Sequence, residues 1–217
     1  MLYIKKNNGL GTARLHIGAD MRNPNTQITA LIKEKTLGLL MKKNPEQIGM
    51  RDIAAECGIT ATNIYHYYKD KDRLFQAVSL DCLNELNGRI KESVKGGDIR
   101  EDILSAIGTF EDWCFENPRR ALLVMQGIKS ADDAGAEMIE AFYVCNRTGG
   151  ELLSEAVSLG LAKSDNVRLD IDILVSGLWG CIEAVLLKKS EPEYWENGKA
   201  FTGRFIDIWI KGIFTEE

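Results

Sequence analysis

From about Thr26 almost to the end of the chain, apolar side chains recur at helical spacing. Ile28, Leu31, Ile32, Leu39 and Leu40 form one stripe, and Asn44-Pro45 closes that helix because a residue before proline is pushed out of the helical region. The pattern predicts a short second helix over Arg51 to Cys57 that packs Ile53, Ala54 and Cys57. A tight turn follows at Gly58-Ile59, then a third helix capped by Thr60 and running to about Tyr67. A long fourth helix begins after Asp70 and reaches about residue 93, with Phe75, Val78, Leu83, Leu86 and Ile90 on its apolar face. Further helices are predicted over 99–115, 118–129, 132–147, 149–160, 168–188 and 198–214, with Pro118 suited to a first turn. The apolar-polar alternation of strands is missing, so the fold class is all-α.

Residues 1–25 lack a sustained period and read as a flexible leader. Lys5, Lys6, Arg14 and Arg22 stand there against Asp20 alone, a balance that suits an arm touching phosphates; Met21 offers an alternative start. Gly96-Gly97 ends the fourth helix and marks the boundary between a 26–95 domain and a 96–217 domain. The net charge of -5 hides a division at this point. Residues 1–95 hold 15 basic and 10 acidic side chains, whereas 96–217 hold 12 and 22. A basic head and an acidic body meet different partners.

No stretch approaches the roughly 18 apolar residues of a membrane span. Cys57, Cys82, Cys114, Cys145 and Cys181 are widely spaced, which suits free thiols in a reducing cytoplasm. His16 and His66 are the only histidines, so a histidine-rich metal site cannot be built; an acidic or thiolate-based one stays open, but neither metal nor cofactor is expected.

The most informative stretch is 48–75, IGMRDIAAECGITATNIYHYYKDKDRLF. Two short helices about a glycine turn can place the second in a DNA major groove, which is about one helix wide. Ile53, Ala54, Ile59, Ile64 and Tyr68 would hold the helices together. The free face then offers Thr60, Ala61, Thr62, Asn63, Tyr65, His66 and Tyr67, with Arg51 and Lys71 beside it. Thr60, Tyr65, Tyr67 and Lys71 suit phosphates, while Thr62, Asn63 and His66 suit base edges. An ordinary helical hairpin with a tyrosine-rich edge is the competing reading.

The succession Ile53-Ala54, Gly58-Ile59-Thr60, Ile64-Tyr65, Tyr68 and Lys71-Asp72-Arg73-Leu74 resembles the DNA-binding domain of the tetracycline-repressor (TetR/AcrR) family. The resemblance covers about 26–80. It implies phosphate contacts from Thr60, Tyr65 and Lys71, and base contacts from Ala61, Thr62 and His66. Three positions depart from the family pattern: Gly49 replaces a capping Ser or Thr, Thr62 the usual small residue, and Tyr68 the common Phe.

The same resemblance implies a three-helix helix-turn-helix domain joined by the long helix to a C-terminal bundle that dimerises and carries an effector pocket. Two stripes, one including Ile171, Leu174, Leu178 and Ile182 and the other Phe205, Ile208 and Trp209, serve either as core or as the homodimer face over 168–188 and 198–214. Phe110, Trp113, Cys114, Met125, Met138, Phe142, Tyr143 and Trp179, with Gln126 and Asn146 as polar anchors, are the candidate pocket. Such walls suit an apolar or amphipathic small molecule. Acidic residues Asp132, Asp133, Glu137 and Glu140 would favour a cationic one, or are a solvated face.

The implied function is a ligand-responsive transcriptional regulator, a repressor that binds a near-palindromic operator as a dimer and is released by a small effector. An activator of the same fold, a helical scaffold and an enzyme are the alternatives. No phosphate loop, nucleophile elbow or HExxH motif supports the last.

Overall fold

A computed structural model describes residues 24–127 and 135–215, so residues 1–23 of the predicted leader, Asp132 and Asp133 lie outside the described residues, and the leader's last two residues belong to the first helix. The described chain is helical, as the spacing predicts. It comprises α1 (Pro24–Leu40), α2 (Met50–Glu56), α3 (Ala61–Ile64), α4 (Lys71–Ser93), α5 (Ile99–Glu116), α6 (Pro118–Gly127), α7 (Ala136–Phe142), α8 (Val144–Ser158), α9 (Val167–Leu186), α10 (Pro192–Glu196) and α11 (Gly198–Ile213). An isolated antiparallel bridge between Ala162 and Phe214 fastens the end of α11 to the α8–α9 turn.

The central element is α4. Leu74, Val78, Cys82, Leu86 and Ile90 recur every fourth residue and are all buried. At 3.6 residues per turn each such step drifts by about 40°, so the buried ridge winds by about 160° around α4 from end to end. The ridge packs on α1 at one end and on α5, α6 and α7 further along. Ile32, Ile53 and Ile64 therefore belong to the same continuous core as Trp113, Leu153 and Ile182.

The predicted boundary at Gly96-Gly97 is the α4–α5 turn, and it is tied down. Asp102, only 5% exposed, accepts Lys95 N at 2.7 Å and Gly96 N at 2.8 Å. Gly96 has φ +74°, where a side chain would strain the backbone.

Three predicted elements differ from the structure. The helix expected over 60–67 is regular only over Ala61–Ile64, after which His66 N and Tyr67 N bond three residues back, to Asn63 O and Ile64 O, in tighter turns. The break expected near 147–149 falls at Tyr143, and Gly149 and Gly150 lie inside α8. Gly149 serves close packing there, since a Cβ would stand 3.3 Å from Ile171. The short α10, begun by Pro192, is an element that the apolar pattern does not predict.

The two terminal long helices pack on each other within the chain. A Cβ on Gly177 of α9 would lie 2.2 Å from Phe205 Cζ of α11. Gly177→Ala is expected to lose about 1–3 kcal/mol in urea denaturation through overpacking. Gly88→Ala, with nothing within 4 Å of its Cβ, is expected to gain up to about 1 kcal/mol from helix propensity.

Candidate nucleic-acid interface and body cleft

The turn between α2 and α3 is set by backbone bonding. Ile59 N donates to Ala54 O at 3.0 Å and Gly58 N to Ala55 O at 3.1 Å, the crossed pair that ends a helix on a left-handed residue, here Gly58 at φ +67°. Thr60 then caps α3 by accepting Asn63 N at 3.2 Å, which leaves its hydroxyl hydrogen free to donate. At α2, Gly49 has no side chain to cap with, but Asp52 accepts the Gly49 N–H at 2.8 Å.

Ile64 is fully buried and turns the other face of α3 outward. Arg51, Thr60, Thr62, Tyr65 and His66 are exposed, and Tyr65 has 53% of its surface free. Ala61 and Asn63 are half-buried on the same short helix. Tyr67 and Tyr68 pack against the core, so Tyr67 presents less to a partner than its place in the sequence suggests. Lys71 is also partly committed: its Nζ donates to Pro45 O at 3.2 Å and lies 5.5 Å from the Phe75 ring centre. Lys69, which sequence reasoning passes over, is exposed between Tyr68 and α4. Its signal is a lone cation between the aromatic run and the capping Asp70.

In the body, α5, α8 and α9 border a shallow cleft, open to solvent, with a cavity volume of about 50 Å³. Its wall includes Ile107, Phe110, Cys145, Leu174 and Leu178, and Ile90 reaches it from α4. An adjoining cavity of about 30 Å³ continues past Gly149 and Ile171 to Leu153 and Trp209. Both are almost wholly apolar. Cys145 donates its thiol to Asn87 Oδ1 at 3.1 Å, and Asn87 in turn donates to Ala141 O at 2.9 Å.

Of the predicted pocket residues, Phe110 lines this cleft, and Trp179 meets its ring edge-on at 4.6 Å. Trp113, Cys114 and Met138 are buried in the core. The Trp113 ring instead donates to Glu85 at 3.2 Å. Met125 and Phe142 pack half-buried against the core, and Tyr143 is 46% exposed, edge-on to Phe142. Asn146 donates to Asp172 at 2.6 Å, on the side of α8 that faces α9. The Gln126 side chain lies outside the described residues. Aromatic content singles out core residues here, whereas the cleft is walled by aliphatic side chains that look like any other core in sequence. Glu137 and Glu140 are exposed, and Glu140 pairs with Arg147.

Most of the predicted dimer residues likewise lie inside the protomer. Ile171, Leu174, Leu178, Ile182 and Trp209 are protomer core, and Phe205 is pressed against Gly177. Ile208 alone of the seven is exposed, at 56%. The outward face of α9 is Leu169, Ile173, Ser176 and Gly180, all exposed and spaced four, three and four apart.

Residues 32–78 match the family model of bacterial regulatory proteins, tetR family. The whole fold is similar to that of a bacterial regulatory protein in the tetR family from Rhodococcus RHA1, at 14% identity and a TM-score of 0.66, covering 88% of this chain and 99% of that one. It is similar also to the TetR-family transcriptional regulator PfmR from Thermus thermophilus, at 18% identity and TM-score 0.59, covering 83% and 97%. A third is the fatty acid degradation regulator FadR from Bacillus halodurans, at 14% identity and TM-score 0.65, covering 85% and 95%. No curated protein matches the sequence. Among the described residues, no helix is long and apolar enough to cross a membrane.

Burial raises the thiols that border the cleft and α4. From the usual 9.0, Cys145 is pushed up to about 12 and Cys82 to about 11. Between the unfolded and folded values the folded state holds protons that the unfolded state releases, so stability falls as pH rises through that window. The urea midpoint is expected to be lower at about pH 10 than at about pH 7.5, by on the order of 1 kcal/mol for each such thiol. Cys145→Ala should flatten its share of the slope.

Proposed function

We propose, for a chain that is a TetR-family transcriptional regulator, that it represses transcription by binding a near-palindromic DNA operator as a homodimer and lets go when a small apolar or amphipathic molecule occupies the body. The observation that carries the DNA-binding part is the exposed edge of α3: a one-turn helix, anchored by Ile64 and capped by Thr60, that presents Thr62, Tyr65 and His66 together. Hydroxyls and flanking Lys69 and Arg51 suit phosphates, while Thr62 and His66 suit base edges.

A single α3 reads too few base pairs for a unique site, and two-fold pairing doubles the sequence read. The face we assign to that pairing is Leu169, Ile173, Ser176 and Gly180 on α9 with Ile208 on α11. Apolar residues with small ones between them permit close helix approach. The cleft between α5, α8 and α9 is the effector site in this reading. Its aliphatic walls favour an apolar occupant, and with a cavity of about 50 Å³ it must widen to take one. Release follows if the effector binds better to a form whose two α3 helices are mis-spaced.

Selection of bound duplexes from genomic DNA is expected to yield near-palindromes, released when the cognate ligand is added. His66→Ala should weaken the selected site by about 1–3 kcal/mol and relax preference at one position, and Lys69→Ala should lower the salt slope by about one. Binding that ignores both salt and these variants would sink the reading.

Ile173→Glu combined with Ile208→Glu is expected to shift the protein to monomer in analytical ultracentrifugation. The same change should remove cooperative operator binding while leaving the helical circular dichroism unchanged.

A further inference from the structure

We infer that Arg119 is a positioning residue by which the body sets the angle of the DNA-reading head; this rests on the proposed DNA-binding function. A helix ends with carbonyls that lack helical partners and with the negative end of its dipole, so a cation placed there is favoured. In α1 the last turn is closed by Met41 N on Leu37 O at 3.0 Å, and by Lys42 N and Lys43 N on Leu39 O at 2.9 Å each. The Leu40 carbonyl accepts instead from Arg119 Nη1 at 3.1 Å, and the Lys43 carbonyl takes the same nitrogen at 3.4 Å. The C-terminal end of a head helix is thus capped from the body, by a side chain 79 positions away.

The origin of that side chain is fixed. Arg119 sits in the first turn of α6, two residues beyond Asn117, whose backbone and side-chain N–H groups both donate to Trp113 O at 3.0 Å. Trp113 is fully buried. The next residue, Arg120, reaches a different element, Glu85 of α4, at 2.7 Å. Glu85 also receives Trp113 Nε1, and Arg89 at 3.3 Å. Ser79 of α4 donates to Leu123 O at 3.3 Å further along α6. Two successive arginines therefore hold α1 by its end and α4 by its middle, and a planar guanidinium suits the paired carbonyls better than an ammonium. α6 also packs on α9, which walls the cleft. A shift of α6 would be delivered to the end of α1 through Arg119.

The test compares the parent with Arg119→Ala and Arg119→Lys, using the selected duplex, urea denaturation and amide hydrogen exchange. Loss of the contact lets the head sample more angles, and the apparent affinity falls by the fraction still competent to bind. Arg119→Ala is expected to bind the operator about fivefold or more weakly, with faster exchange over 41–47. Arg119→Lys should recover part of both. Affinities are read at urea-free conditions where each variant is fully folded, so lost stability alone does not move them. Unchanged exchange over 41–47 overturns the contact. Faster exchange with affinity within about twofold of the parent makes Arg119 a helix cap only, and overturns the positioning role. A parent that selects no duplex fails the function reading instead, and takes this inference with it.

Discussion

Everything in this fold depends on the buried ladder of α4. Because Leu74, Val78, Cys82, Leu86 and Ile90 fall every fourth residue, one uninterrupted ridge winds around the helix and meets two sets of neighbours in succession. Near Leu74 it closes the small core of the helix-turn-helix, and near Ile90 it closes the core of the body. A small head of about 70 residues has little apolar surface of its own to bury, and sharing one helix with a larger body adds to it. The arrangement also makes the head's position a property of the body's packing. The surface pairs around α4, such as Lys33 with Asp81 and Arg89 with Glu116, are each worth little, so beside this ladder the holding role falls only to the Arg119 and Arg120 contacts from α6.

Sequence reasoning succeeds where local chemistry decides the outcome. Asp70 reads as the start of α4, and its carboxylate does accept Arg73 N at 2.8 Å. Gly58 reads as a turn, and its positive φ explains why glycine stands there. Thr60 reads as a cap and is one. These signals need only a few neighbouring residues. The reading fails where two distant segments decide. Gly149-Gly150 looks like a break because glycine is a poor helix former, yet α8 runs through it since Ile171 of α9 needs that space. Lys71 looks wholly free in sequence, yet one of its three N–H groups goes to Pro45 from the loop after α1.

The candidate pocket and pairing residues fall mostly in the protomer core for a related reason. Periodicity reports the strongest apolar stripe of a helix, and in α9 that stripe is Ile171, Leu174, Leu178 and Ile182, which the protomer itself buries. In the proposed dimer, a face kept for a second copy must tolerate water before pairing, so it is weaker in sequence. Leu169, Ile173, Ser176 and Gly180 combine large and small residues and are flanked by Arg168 and Asp172. Aromatic side chains likewise draw the pocket toward Trp113, which is the pin of the α5–α6 corner. A space between helices is made by the side chains that do not meet, and no single residue type announces it.

In the proposed function, the same ladder decides how a bound molecule could be felt at the DNA. The core is close-packed, so elements move as bodies and do not deform continuously. Ile90, the last rung, lines the cleft, and Leu74, the first, sits in the head. They are 16 residues apart, about 24 Å along a helix. A molecule that moves Ile90 sideways therefore tilts a stiff rod whose far end carries α3, instead of sending a change through a series of loosely coupled side chains. The tied turn at Asp102 matters in this light. With Lys95 N and Gly96 N both held by a buried carboxylate, the α4–α5 junction resists bending. A displacement made in the cleft is then carried along α4 toward the head, where spacing between two copies of α3 is what the operator reads.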